Sequence, residues 1–97
     1  MNRAEILKQA EICVTGERAD DYGAPENNFH TIAKLWNAYL GDVIVDPVDV
    51  SMMLALLKIA RIRSGQHKSD SYVDLAGYAA CAGELAAINL RRKKIHE

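Results

Sequence analysis

Residues 46–65 read DPVDVSMMLALLKIARIRSG, and this stretch decides the fold. Asp46 and Pro47 form the opening of a helix, an N-cap followed by proline at the first helical position, with Asp49 at the third. From Val50 to Ile59 the chain is apolar nearly all round, broken only by Ser51 and Lys58. A helix without a wet face is enclosed by neighbours. The pattern therefore predicts a helix surrounded by other helices, ending near Ser64-Gly65.

The flanking segments supply those neighbours. A first helix is expected from about Arg3 to Val14 or slightly beyond, with Asn2 as N-cap and Ile6, Ala10, Cys13 and Val14 turned inward. Gly16 weakens it, and the segment from Gly16 to Gly23, with two glycines and two aspartates, suits a bend. A second helix opens at Pro25, runs to Leu40 and stops at Gly41; Phe29, Ile32, Ala33, Trp36 and Leu40 recur at helical spacing. A fourth begins after the polar loop 66–70, with Ser71 and Asp74 at capping-box spacing, and runs to about Lys94. Ala76, Ala80, Gly83 and Ala87 form a stripe of small residues along it. Two glycines inside a helix each cost about 1 kcal/mol relative to alanine, and close packing, across a subunit boundary if need be, is the expected compensation. The fold class is all-α: a compact bundle of about four helices forming one domain over 1–97, with strand character confined to Val43-Ile44-Val45.

Composition limits the function. Half of the 97 residues are apolar but only 6% are aromatic, so Ala, Leu, Ile, Val and Met must supply the core. A chain this short buries a modest share of its surface, which favours a homo-oligomer. The net charge of -1 gives no reason to expect polymeric nucleic acid, because neutralising phosphates takes clustered Lys and Arg. The basic run Arg91-Arg92-Lys93-Lys94 complements the dipole at a helix end. The first residues are charged and lead into no apolar stretch, so no signal peptide is expected. No run approaches the ~18 apolar residues of a membrane span. Cytoplasmic location and no membrane partner are the expectations. Cys13 and Cys81 read as two buried thiols, with neither disulfide nor metal spacing.

A few polar residues stand where a bundle core should be apolar. Lys58 and Arg61 lie three apart on one face of the most apolar helix. A cation there reaches solvent or meets an anion, either Asp70 or Asp74 or the phosphate of a ligand, for which Arg is the better bidentate partner. Asp70, Asp74 and Tyr78 follow at spacing four. If that face lines a cavity, Asp74 could accept from a ribose or base and Tyr78 could stack or donate; otherwise Asp74 caps its helix. Glu26, His30 and Lys34 make another row, with Asn28 beside its start. Arg18 and Tyr22 lie in the glycine-bounded bend, in the kind of loop that closes over a ligand. The candidate ligand-binding set is thus Arg18, Tyr22, Asn28, His30, Lys34, Lys58, Arg61, Asp70, Asp74 and Tyr78, with no metal site and no assigned catalytic residue. The chain has no phosphate-cradling glycine-rich loop and no recognisable nucleophile–histidine arrangement.

The segments Arg18-x-x-x-Tyr22-Gly23, Glu26 to Trp36 (with Phe29, Ile32 and Ala33), Lys58-Ile59-Ala60-Arg61 and Tyr72 to Ala79 resemble a family of small bacteriophage and prophage proteins of unknown function, from about Val14 to Glu84. That family in turn resembles MazG-like proteins, all-α oligomeric Mg-dependent hydrolases that convert nucleoside triphosphates to the monophosphate and pyrophosphate. Those enzymes hold Mg²⁺ with a Glu-x-x-Glu pair on one helix and a Glu-x-x-Asp pair on the next, and neither pair stands at the matching positions here. Lys58 and Arg61 occupy the region where the acids belong. The resemblance then implies a phage protein that binds a small nucleotide without catalysis and without a cofactor, for instance sequestering an immune signal of the infected or lysogenic bacterium. The alternatives are a diverged Mg-dependent pyrophosphohydrolase and a helical scaffold whose polar rows pair with each other.

Overall fold

The computed structural model of the chain describes residues 1–16 and 25–96, with side chains described at 1–16 and 28–89. Among the described residues it contains four helices and no strand: α1 (Arg3–Thr15), α2 (Pro25–Leu40), α3 (Pro47–Arg63) and α4 (Ser69–His96). None of them is long and apolar enough to cross a membrane.

The helix ends are written locally. Asn2 and Glu5 form a reciprocal capping box at the start of α1, with Glu5 N donating to Asn2 Oδ1 at 2.9 Å and Asn2 N to Glu5 Oε1 at 3.1 Å. Asp46 and Asp49 repeat the device ahead of α3, with Pro47 in the first turn, where its missing N–H costs nothing. α3 ends in a Schellman motif: Gly65 N donates to Ile62 O at 3.0 Å and Gln66 N to Arg61 O at 3.3 Å. The motif needs a left-handed residue at Gly65, and its φ is +96°. Gly41, at φ +83°, ends α2. Beyond it the Asn37 carboxamide grips Val45 from both sides, donating to Val45 O at 3.0 Å and accepting from Val45 N at 2.7 Å. That bracket folds the connection back onto α2 and turns Val45 towards the core.

α3 and α4 form the central pair, α1 packs on α4, and α2 packs chiefly on α3. The core joins Phe29 and Ala33 of α2, Val50 of α3, and Cys81 and Leu85 of α4, with Val14, Trp36, Leu54 and Tyr78 packed around them. A helix of 28 residues spans about 42 Å, and α4 accordingly matches the 44 Å long dimension of the molecule. α1 approaches α4 closely at Gly77, where a Cβ would stand 3.3 Å from Val14 Cγ1.

One expectation needs correction, and two concern surfaces that the single chain leaves open. α4 begins at Ser69, two residues earlier than the capping-box spacing indicated, and Ser71 is buried within the helix instead of capping it. The small-residue stripe is not a seam inside the chain: Ala80, Gly83 and Ala87 are exposed, and a Cβ at Gly83 would meet nothing within 4 Å. α3 is not enclosed either. Val50, Ser51 and Ala55 are buried, yet Met52, Met53, Leu56, Leu57 and Ile59 stand between 41% and 60% exposed. Apolar periodicity showed a helix but could not show which neighbours the single chain would supply.

Candidate functional site

The polar residues of α3 and α4 meet on the facing sides of the central helix pair. Ser51, fully buried, donates its hydroxyl to the Tyr78 carbonyl at 2.7 Å. Two turns further along α3, Lys58 Nζ lies 2.9 Å from Asp74 Oδ2. The two side chains are only 13% and 26% exposed, so the pair spans the α3–α4 interface and is largely shielded from water. Asp74 is therefore committed to Lys58, not to a helix cap. This is the pairing one reading of the spacing anticipated, and burial explains it: a lone ammonium between two helices would be costly.

One turn beyond Lys58 stands Arg61, exposed, its guanidinium without an ion-pair partner among the described residues. One turn before Asp74 stands Asp70, also exposed. One turn after it Tyr78 turns its ring towards Phe29, with centroids 6.3 Å apart and planes tilted by 55°. The row thus runs from a half-buried aromatic, through the ion pair, to an exposed cation and an exposed acid at the end of the helix pair where the α3–α4 connection joins it. Its elements can hold an anion, accept from hydroxyls and offer one aromatic edge.

The α2 candidates are not gathered there. Asn28, His30 and Lys34 are all exposed. At about 100° per residue, Asn28 and Lys34 diverge by about 120° around the helix, on opposite flanks of the Phe29–Ala33 side that enters the core. A single small ligand on α2 cannot touch both flanks. Arg18 and Tyr22 lie outside the described residues, as does the side chain of Glu26, so the Glu26–His30 row has no geometry on one side. Among the described residues no three His, Cys, Asp or Glu side chains come together as a metal site. Neither Cys13, half-buried, nor Cys81, buried, is in a disulfide among the described residues.

Several structural contacts escaped the sequence reading. Ser51 looked like a gap in an apolar run. Its acceptor is a backbone carbonyl 27 residues away, which no local pattern announces. His67, in the polar loop 66–70, lies beside Tyr72 with Nδ1 and the phenol oxygen 2.8 Å apart and the rings near parallel; spacing five across a helix start was the available signal. Between α2 and α3, Trp36, Tyr39, Leu40 and Met53 line an open apolar hollow of about 450 Å³. The 3.6-residue pattern had assigned Trp36 and Leu40 to the core, where Trp36 does pack at the margin.

No solved structure matches the chain. The Gene 55 protein of Mycobacterium phage L5 is 47% identical over 74 residues, covering 76% of this chain and 47% of the relative. The Gene 55 protein of Mycobacterium phage D29 is 43% identical over 80 residues, covering 82% of this chain and 52% of the relative. The chain thus spans about half the length of the curated relatives it matches. The family model for a domain of unknown function, DUF6378, matches residues 5–86, taking in all of α2 and α3 and the row on α3 and α4. With that match over most of its length, the chain belongs to the DUF6378 family, whose relatives here are phage proteins.

Proposed function

We propose that this chain is a binding protein for a small phosphate-bearing nucleotide, held without catalysis at the exposed surface of the α3–α4 pair near its connection. The observation that carries the reading is the row itself: the shielded Lys58–Asp74 pair, with Arg61 one turn beyond Lys58 on α3, without an ion-pair partner among the described residues, and Asp70 one turn before Asp74 on α4. In this reading Arg61 would take a phosphate bidentately and Asp70 would accept from a sugar hydroxyl, with Asp74 holding Lys58 beside them. In an infected bacterium such a protein would lower the free concentration of a nucleotide signal, acting as a homo-oligomer in the cytoplasm.

Metal-assisted hydrolysis of the MazG-like kind calls for convergent carboxylates. Asp70 and Asp74 are the only acids in the row, and Asp74 is already engaged with Lys58. A helical scaffold is the second reading, and the short Lys58–Asp74 distance favours it, since each charge has its partner inside the chain.

Titration calorimetry with nucleoside mono-, di- and triphosphates separates these. Arg61 is exposed, so Arg61→Ala should leave the thermal transition in place while weakening nucleotide binding roughly tenfold or more, the loss of a charge-assisted contact. Equal affinity in wild type and Arg61→Ala, or no binding by either, would refute the ligand site and leave the scaffold.

A further inference from the structure

The outer face of α3 is apolar and bare. Leu56 is 60% exposed, Leu57 48%, Met52 47%, Met53 42% and Ile59 41%. Around the helix these positions cover the side opposite Ser51, Ala55 and Lys58, with Asp49 and Arg63 at its two ends. The hollow between the helices joins this face to α2, where Tyr39 is 90% exposed and Leu40 beside it is bare on one side. Immediately after Leu40 the connection projects Ile44, 86% exposed. Monomeric soluble proteins rarely expose contiguous apolar patches beyond a few hundred Å².

Taking about 150–200 Å² of accessible surface for a large residue, Tyr39 and the five α3 side chains expose on the order of 500–650 Å². Leu35 and Leu40 bring the face close to the ~800 Å² that each partner contributes to a standard interface.

We infer that the α2–α3 face is a dimer interface whose occupant is a second copy of this chain. The face carries little charge, so pairing it with itself meets no like-charge repulsion. It offers both a hollow, at Trp36, Tyr39, Leu40 and Met53, and projecting apolar side chains, Leu56 on α3 and Tyr39 at the hollow's rim. A two-fold axis through the face would let each copy fill the other's hollow, the self-complementarity that an isologous contact requires. Lys58 and Ser51 lie on the helix's other side, while Arg61, one turn beyond Leu57, borders the apolar face, so the two substitutions tested below are placed away from it.

Sedimentation velocity of the full chain from about 1 to about 100 µM tests it. The expected mass is that of two copies. Tyr39→Glu, at a ring that touches the core least, and Leu56→Glu should each raise the dimer dissociation constant roughly tenfold or more, with helical circular dichroism retained. Ala87→Glu, on the exposed stripe of α4, should leave the dimer intact. A monomer across the whole range would overturn the inference. So would a dimer indifferent to both α2–α3 substitutions, or one dissolved by Ala87→Glu alone.

Discussion

Replacing Asp74 with alanine removes the anion that lies 2.9 Å from Lys58 Nζ and leaves the ammonium between α3 and α4, 13% exposed. Exposed ion pairs contribute about 0.2–1 kcal/mol, whereas breaking a buried pair costs about 3–5 kcal/mol. The Lys58–Asp74 pair sits between these limits, since the Asp74 side chain keeps 26% of its surface and the Lys58 stem can lean outward. The expected cost of Asp74→Ala is about 2 kcal/mol. For a chain of 97 residues that lowers Tm by roughly 10 °C. Lys58→Met should cost less, because the orphaned carboxylate is the more exposed partner. The double variant Lys58→Met/Asp74→Leu should recover most of the loss, since an apolar pair avoids the desolvation of both charges. Chemical denaturation followed by circular dichroism, arranged as a double-mutant cycle, reads the coupling directly. A coupling within about 0.5 kcal/mol of zero, the scatter of independent sites, would refute the claim that this pair organises the central helix interface.

Three further outcomes follow from the geometry. Gly83→Ala should stabilise the protein by about 0.5–1 kcal/mol, the helix-propensity gain at a position with nothing to clash with; Gly77→Ala should forfeit that gain, because its Cβ would press on Val14. Thermal melts of the two variants side by side settle the order. Asn37→Ala removes both hydrogen bonds to Val45 and should cost about 1–3 kcal/mol, with proteolysis beginning between Gly41 and Val45. Ser51→Ala should cost about 1 kcal/mol by denaturant titration, modest because the Tyr78 carbonyl lies inside a helix and keeps its place in the ladder.

The helices were legible wherever the chain punctuates itself. Asn2, Pro25, Gly41, Asp46-Pro47 and Gly65 each act within three or four residues of themselves, so local pattern suffices to find them. The start of α4 was misread for the opposite reason. Ser71 and Asp74 have the spacing of a cap, but Asp74 pairs with Lys58, sixteen positions back, and only the packing of α3 on α4 reveals that. Apolar periodicity failed on α3 because a helix apolar all round gives no clue to which side its own chain will cover. The bare half, from Met52 to Ile59, then becomes evidence about a partner. The candidate row on α3 and α4 was readable from spacing alone, since i, i+3 and i, i+4 fix a face. The α2 residues were over-collected: Asn28 and Lys34 are close in sequence but diverge around the helix.

The measurement that bears most directly on the central claim is to mix the purified chain with a panel of nucleotides, with and without Mg²⁺. The free fraction is then assayed by mass spectrometry before and after the protein is heat-denatured. The account predicts that at least one phosphate-bearing nucleotide disappears from the free fraction and returns chemically intact on heating, and that Arg61→Ala abolishes the effect. Conversion of a triphosphate to its monophosphate, or no depletion of any compound in the panel, would contradict it.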